Sequence, residues 1–121
     1  MASSINRVEL LGNLAAAPEL RNTQGGKPVA SMTLYTNRRW KDAGGDLKEE
    51  SERHSIVVWD KLAETCASNL RKGSRVYLSG RLQTRKWQDK DGQDRYTTEI
   101  VANEVVFLDG RGGDEVVDEA D

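Results

Sequence analysis

Cysteine, histidine, proline and phenylalanine are nearly absent from this chain: one Cys, one His, two Pro and one Phe in 121 residues. A single thiol, Cys66, excludes an internal disulfide framework and suits a reducing compartment. One cysteine and one histidine leave no transition-metal ligand set, so neither a metal nor a cofactor is expected. No apolar run nears the ~18 residues of a membrane span, and the first residues lack the apolar stretch of a secretory signal. P-loop, nucleophile elbow and H-E-x-x-H motifs are all missing. The carboxylates Asp42, Asp46, Glu49, Glu50 and Glu52 fall in a segment, 41–52, that reads as a long mobile loop, so catalysis gains no support. The expectation is a soluble, cytoplasmic, non-enzymatic protein.

What is present is charge, at 31% of residues, with a net value of −2. Its distribution is uneven. Residues 109–121 hold six carboxylates against Arg111 alone; the first 108 residues carry 17 basic against 14 acidic side chains, about +3. The chain therefore divides into a mildly basic body, 1–108, and an acidic, Gly-containing tail, 109–121, too poor in apolar residues to order itself and expected to be disordered.

Along the body, Ile5–Leu14 reads as a first strand. Pro28–Trp40 alternates with a period of two: Ala30, Met32 and Leu34 on one side, Ser31, Thr33 and Tyr35 on the other. Arg53–Trp59 is a third strand. Asp60 is placed to N-cap a helix over 61–72, whose stripe of Leu62, Ala63, Cys66, Ala67 and Leu70 has helical spacing, with Gly73 as the C′ glycine. Arg75 to about Gln88 and Arg95 to Leu108 form a final hairpin around Asp91-Gly92. Three strands, one short helix and two strands is the element order of an all-β OB-fold, a five-stranded Greek-key barrel with the helix between strands 3 and 4. SH3-like barrels and α+β sheets give a similar string.

The fourth strand is amphipathic in an unusual way. Val76, Leu78 and Leu82 share one face, while Arg75, Tyr77, Arg81, Arg85 and Trp87 share the other, unless a bulge at Gly80 shifts the parity beyond it. All three tryptophans stand beside cations: Arg38-Arg39-Trp40-Lys41, Trp59-Asp60-Lys61 and Arg85-Lys86-Trp87. Flat apolar rings interleaved with cations suit unpaired bases and a phosphate backbone, a single strand rather than a duplex groove. Trp59, in the run Ile56-Val57-Val58, is as readily core; Trp40 and Trp87 are at strand ends among charges.

These residues resemble the bacterial and mitochondrial single-stranded DNA-binding (SSB) proteins. The likeness runs through Asn6-Arg7-Val8, Leu11-Gly12-Asn13-Leu14 and Pro18-Glu19-Leu20-Arg21. It continues in His54-Ser55-Ile56-Val57-Val58-Trp59, Leu70-Arg71-Lys72-Gly73-Ser74, Thr84-Arg85-Lys86-Trp87 and Asp91 to Glu99, and covers about residues 5–108. It implies a protein that coats single-stranded DNA without sequence preference in replication, recombination and repair, as a homotetramer at the cytoplasmic nucleoid. It implies stacking by Trp40, Trp59 and Trp87, to which Tyr77 is added from its place on the cationic face. It implies phosphate contacts at Arg7, Lys61, Lys72, Arg85 and Lys86; Arg38, Arg39 and Arg53 join them as neighbouring cations. His54 matches a histidine near a subunit contact. Arg53 stands where many relatives carry a further stacking tryptophan. The family recruits replication and repair proteins through an acidic end with a hydrophobic tip; Val117-Asp118-Glu119-Ala120-Asp121 is acidic but has no aromatic or proline. Two other readings fit parts of the chain: an OB-fold adaptor of a replication-restart complex acting through protein contacts, and a Mg²⁺ nuclease built on the loop carboxylates.

Overall fold

The structure, a computed structural model, describes residues 3–108 and the backbone of 115–118. Apolar alternation sets the inner faces of the long strands. Ala30, Met32 and Leu34 of β3 (Pro28–Lys41) lie inside with Ile56 and Val58 of β4 (Leu47–Trp59). Val76 and Leu78 of β5 (Arg75–Gln88) and Ile100, Ala102, Val105 and Phe107 of β6 (Asp94–Phe107) complete the ring, with β1 (Val8–Leu14) supplying Leu14. Burying each such large side chain contributes ~1.5–3 kcal/mol. The strand order β1-β5-β6-β4-β3 closes through β1–β3 pairing at Asn13↔Tyr35 and Leu14↔Leu34, giving a five-stranded barrel as expected. All of its pairs are antiparallel except β4–β6, joined at Ile56↔Ile100 and Val57↔Val101. A short β2 (Glu19–Asn22) lies against the start of β3.

The helix α1 (Asp60–Asn69) sits between β4 and β5 and packs chiefly on β3, burying Leu62, Ala63 and Cys66, with Leu70 just beyond its end. Its ends differ from expectation. The N-cap is Trp59, with no side-chain cap bond, and Asp60 is the first helical residue with φ of 59°. The reason is that β4 stays paired through Trp59, opposite Val29, so the chain must turn within one residue, and Asp tolerates the left-handed backbone that this needs. The C-cap is Leu70, whose N–H donates to the Cys66 carbonyl; Gly73, at φ 88°, instead serves the turn into β5.

Cys66 is fully buried, and burial pushes its thiol up to about 12. A thiol reagent at pH 8 should therefore label the native protein only as fast as it opens, with the rate rising with denaturant; rapid labelling without denaturant would contradict this packing. The unfolded thiol ionises near 9.0, so between 9.0 and about 12 the unfolded chain sheds a proton that the fold retains. This group alone makes stability fall as pH rises through that window, and leaves it unchanged below.

Two further expectations change. The segment 41–52 is no long loop: β3 and β4 run on as a paired arm to Lys41↔Leu47, leaving 42–46 as the turn. Ion pairs Arg38–Glu50 (3.5 Å) and Arg39–Glu49 (2.7 Å) cross it, which is why its strands read as charged rather than alternating. In the tail expected to be disordered, Glu115–Asp118 forms β7, paired antiparallel to Glu104–Phe107 of β6. With β5 on one edge of β6, β4 reaches the other edge only at Ile100 and Val101, so the stretch beyond is open to a further strand. The rest of the tail, and its tip, lie outside the described residues.

Candidate nucleic-acid interface

The β5–β6 hairpin also outruns the barrel, and its register decides where its side chains point. Ser79 faces Glu104 and Gly80 faces Ala102, so the extra residue is Asn103 of β6. The bulge is on β6, and β5 keeps its parity: Arg81, Arg85 and Trp87 stay on the outer face with Arg75 and Tyr77. Gly80 is demanded by the packing here, since a Cβ would lie 2.7 Å from Ala102 Cα and collide with the Val101 carbonyl oxygen.

On the outer face, a groove of about 300 Å³ opens between the barrel and this arm. Its floor is Ser31 and Thr33 of β3 with Ser55 and Val57 of β4, its arm wall Arg85, Thr97 and Glu99, and its far wall Ala16, Ala17 and Glu19. Small hydroxyl residues on the floor leave it flat. Trp87 stands over this side, 43% exposed, its indole N–H donating to Thr97 Oγ1 at 2.8 Å. That bond fixes the ring plane without burying it. By register, Tyr35 and Arg53 lie opposite each other on the same outer face, and Trp59, half-buried, ends that row opposite Val29.

Trp40 differs. Counting along β3 puts it on the face of Met32 and Leu34, opposite to Tyr35, so the three tryptophans do not share one face. It is at the far end of the arm, 36% exposed, with the Arg38 guanidinium 4.2 Å from its ring centre. Tyr77 is near the other end of β5, between Leu11 and Val106, where its hydroxyl donates to Glu9 at 2.6 Å. This bond pushes the phenol's titration upward and, with Arg7, holds Glu9 below the ordinary carboxylate range. Tyr77 does not line the groove. His54 is half-buried on β4, its Nε2 3.1 Å from Thr36 Oγ1.

The expected phosphate cations fall into two groups. Arg7 (Glu9, 3.4 Å), Arg38, Arg39, Arg85 (Glu99, 3.1 Å) and Lys86 (Asp94, 3.3 Å) each pair with a carboxylate. Arg53, Lys61 and Lys72 are exposed and have no ion pair among the described residues. The paired cations are exposed too, and such pairs contribute at most ~1 kcal/mol, so a phosphate can displace the carboxylate. Sequence reading missed Tyr96, 67% exposed on the arm opposite Lys86, and gave Tyr35 no role. Alternation around Tyr35 was the available signal; for Tyr96 only the hairpin register reveals its place.

Both arms end in the same device. Asp42 Oδ1 accepts from the Gly44 and Asp46 amides, and Asp89 Oδ1 from those of Asp91 and Gln93, while Arg95 donates to Asp89 Oδ2. The Gln93 amide and Arg95 hold the Asp89 carboxyl below its usual range. The turns hold the arms as paired ribbons, so rings and cations sit on ladders rather than loops.

The model of the single-strand binding protein family matches residues 5–108. The chain belongs to that family. It is 43% identical over 120 residues to a single-stranded DNA-binding protein of Rhizobium meliloti (strain 1021), across 94% of this chain and 69% of that one. Among solved structures, a Plasmodium falciparum SSB complex with ssDNA aligns with a TM-score of 0.82 and 36% identity, covering 90% of this chain and 99% of that chain. The arms, groove and helix described above are thus those of an SSB-family OB-fold.

Proposed function

We propose that this SSB-family protein binds single-stranded DNA without sequence preference, as a non-enzymatic coat in replication, recombination and repair at the cytoplasmic nucleoid. The observation that carries the reading is the exposed Trp87 ring, fixed by Thr97 beside Arg85 at the rim of a flat groove. Trp87 and Trp59 stack bases from the outer face, and Trp40 stacks one at the tip of the β3–β4 arm. Arg7, Arg38, Arg39, Arg53, Lys61, Lys72, Arg85 and Lys86 neutralise phosphates along the way. Tyr77, tied to Glu9 away from the groove, is a weaker base platform. The assembly is a homotetramer with His54 near a subunit contact, and the acidic tail is the site for replication and repair partners.

Titration with oligothymidylate tests this. Tryptophan emission should fall strongly as rings stack, and with about six of these eight cations on phosphates at once the log–log salt slope should be near −4, at ~0.7 each. Tight binding with unchanged emission would refute stacking. Light scattering should give four times the 13.5 kDa chain mass; a dimer with negligible DNA affinity would favour the adaptor reading instead.

A further inference from the structure

A second cleft, of about 380 Å³, lies at the root of the β5–β6 arm and plays no part in the groove. Its walls are the segment Ser4–Arg7 on one side and Gly80, Arg81, Val101 and Asn103 on the other. Three features give it a chemistry. It holds two guanidiniums, Arg7 and Arg81, the Asn103 amide and the Ser4 hydroxyl, and no carboxylate among its lining residues. The groove, by contrast, contains Glu19 and Glu99. The Arg81 side chain is exposed and has no hydrogen bond or ion pair among the described residues, so its guanidinium donors are uncommitted. The wall is also built rather than draped. The Asn6 side chain bonds both backbone groups of Leu82, donating to its carbonyl and accepting from its N–H, each at 2.9 Å. An amide in that position substitutes for a strand partner and fixes the irregular segment against β5.

The cleft shares no lining residue with the groove but neighbours it. Val101 in its wall pairs with Val57 on the groove floor, and Arg81 precedes Arg85 by four residues on one strand face, ~13 Å at strand rise. We infer that this cleft is a second subsite for the phosphodiester backbone, with Arg81 as its principal contact and Asn6 as the positioning residue for its wall. A single strand leaving the groove turns across the arm root and lays its phosphates between Arg81 and Arg7. Arg7 reaches them by exchanging its exposed pair with Glu9. The inference rests on the single-strand reading, and the test separates the two.

The wild-type protein, Arg81→Gln, Arg81→Lys and Lys27→Gln are titrated with a long oligothymidylate over a range of salt. Lys27, in the β2–β3 turn, lines neither cleft and controls for net charge. R81Q should reduce the log–log slope by ~0.7, R81K should restore it, and K27Q should leave it unchanged. Maximal tryptophan quenching should be equal in all four. Absence of wild-type binding refutes the single-strand reading itself; wild-type binding with R81Q and K27Q alike in slope refutes only the subsite. Because the Arg81 side chain makes no hydrogen bond or ion pair among the described residues, R81Q should melt with the wild type. Asn6→Ala should lower affinity in the same direction as R81Q while leaving groove quenching intact; no change in affinity would overturn the role given to Asn6.

Discussion

Trp87→Ala should weaken single-strand binding by ~1–3 kcal/mol, a loss of roughly 5- to 150-fold, the general worth of a base stacked on an aromatic in single-strand binders, this family included. The ring is 43% exposed on an arm beyond the barrel, so its removal takes no core contact, and the melting temperature should hold. No charge is lost, so the salt slope should hold as well. These two constants give the experiment its force: a change confined to the intercept of the salt plot is what loss of stacking produces, whereas loss of a phosphate contact tilts it. Trp87→Phe keeps a flat ring but forfeits the bond to Thr97 at 2.8 Å that sets its plane. It should recover only part of the loss. Unchanged affinity for Trp87→Ala would mean that bases do not reach this ring. A collapsed melting temperature would mean that the arm depends on it.

The barrel was legible because its strands have one wet and one dry face. Alternation around Ala30, Met32 and Leu34 could signal only a half-buried strand, and the Leu62–Cys66 stripe only a helix on a core. The arms were harder for the same physical reason. Beyond the barrel neither face of β3–β4 meets a core, so Leu47–Glu52 carries no period of two, and the evidence for pairing is charge across the ladder, Arg38 with Glu50 and Arg39 with Glu49. β2, with all four residues exposed, has no pattern to read. At the site, adjacency of tryptophan and cation found the residues but not their directions. Only register shows that Trp40 faces away from Tyr35 and that Arg85 and Lys86 are already engaged with Glu99 and Asp94. Parity beyond Gly80 turned on which strand held the extra residue, and sequence does not say; Asn103 on β6 settles it in favour of the cationic face.

Gly80→Ala should be the most damaging single-methyl change in the arm, costing ~1–3 kcal/mol or more. The added carbon would meet Val101 and Ala102 main-chain atoms, the Val101 carbonyl carbon at 2.8 Å and Ala102 Cα at 2.7 Å, not the end of a side chain that could swing aside. Those atoms are held from both edges of β6: by the β5 ladder and by the parallel pair Val57↔Val101. Alanine would gain ~0.5–1 kcal/mol from a less free unfolded chain, too little to offset the clash. Relief therefore requires β5 to lift from β6 at the bulge, which is the root of the arm that carries Arg85, Lys86 and Trp87. At ~4–8 °C per kcal/mol for a domain of this size, the melting temperature should fall by about 5–20 °C. Single-strand affinity at a temperature where the variant is folded should fall too, since the arm wall moves away from the groove floor at Ser55 and Val57. An unshifted melting temperature would show that the β6 backbone yields at Asn103 after all. A lower melting temperature with unaltered affinity would show that the root of the arm does not set the position of its tip.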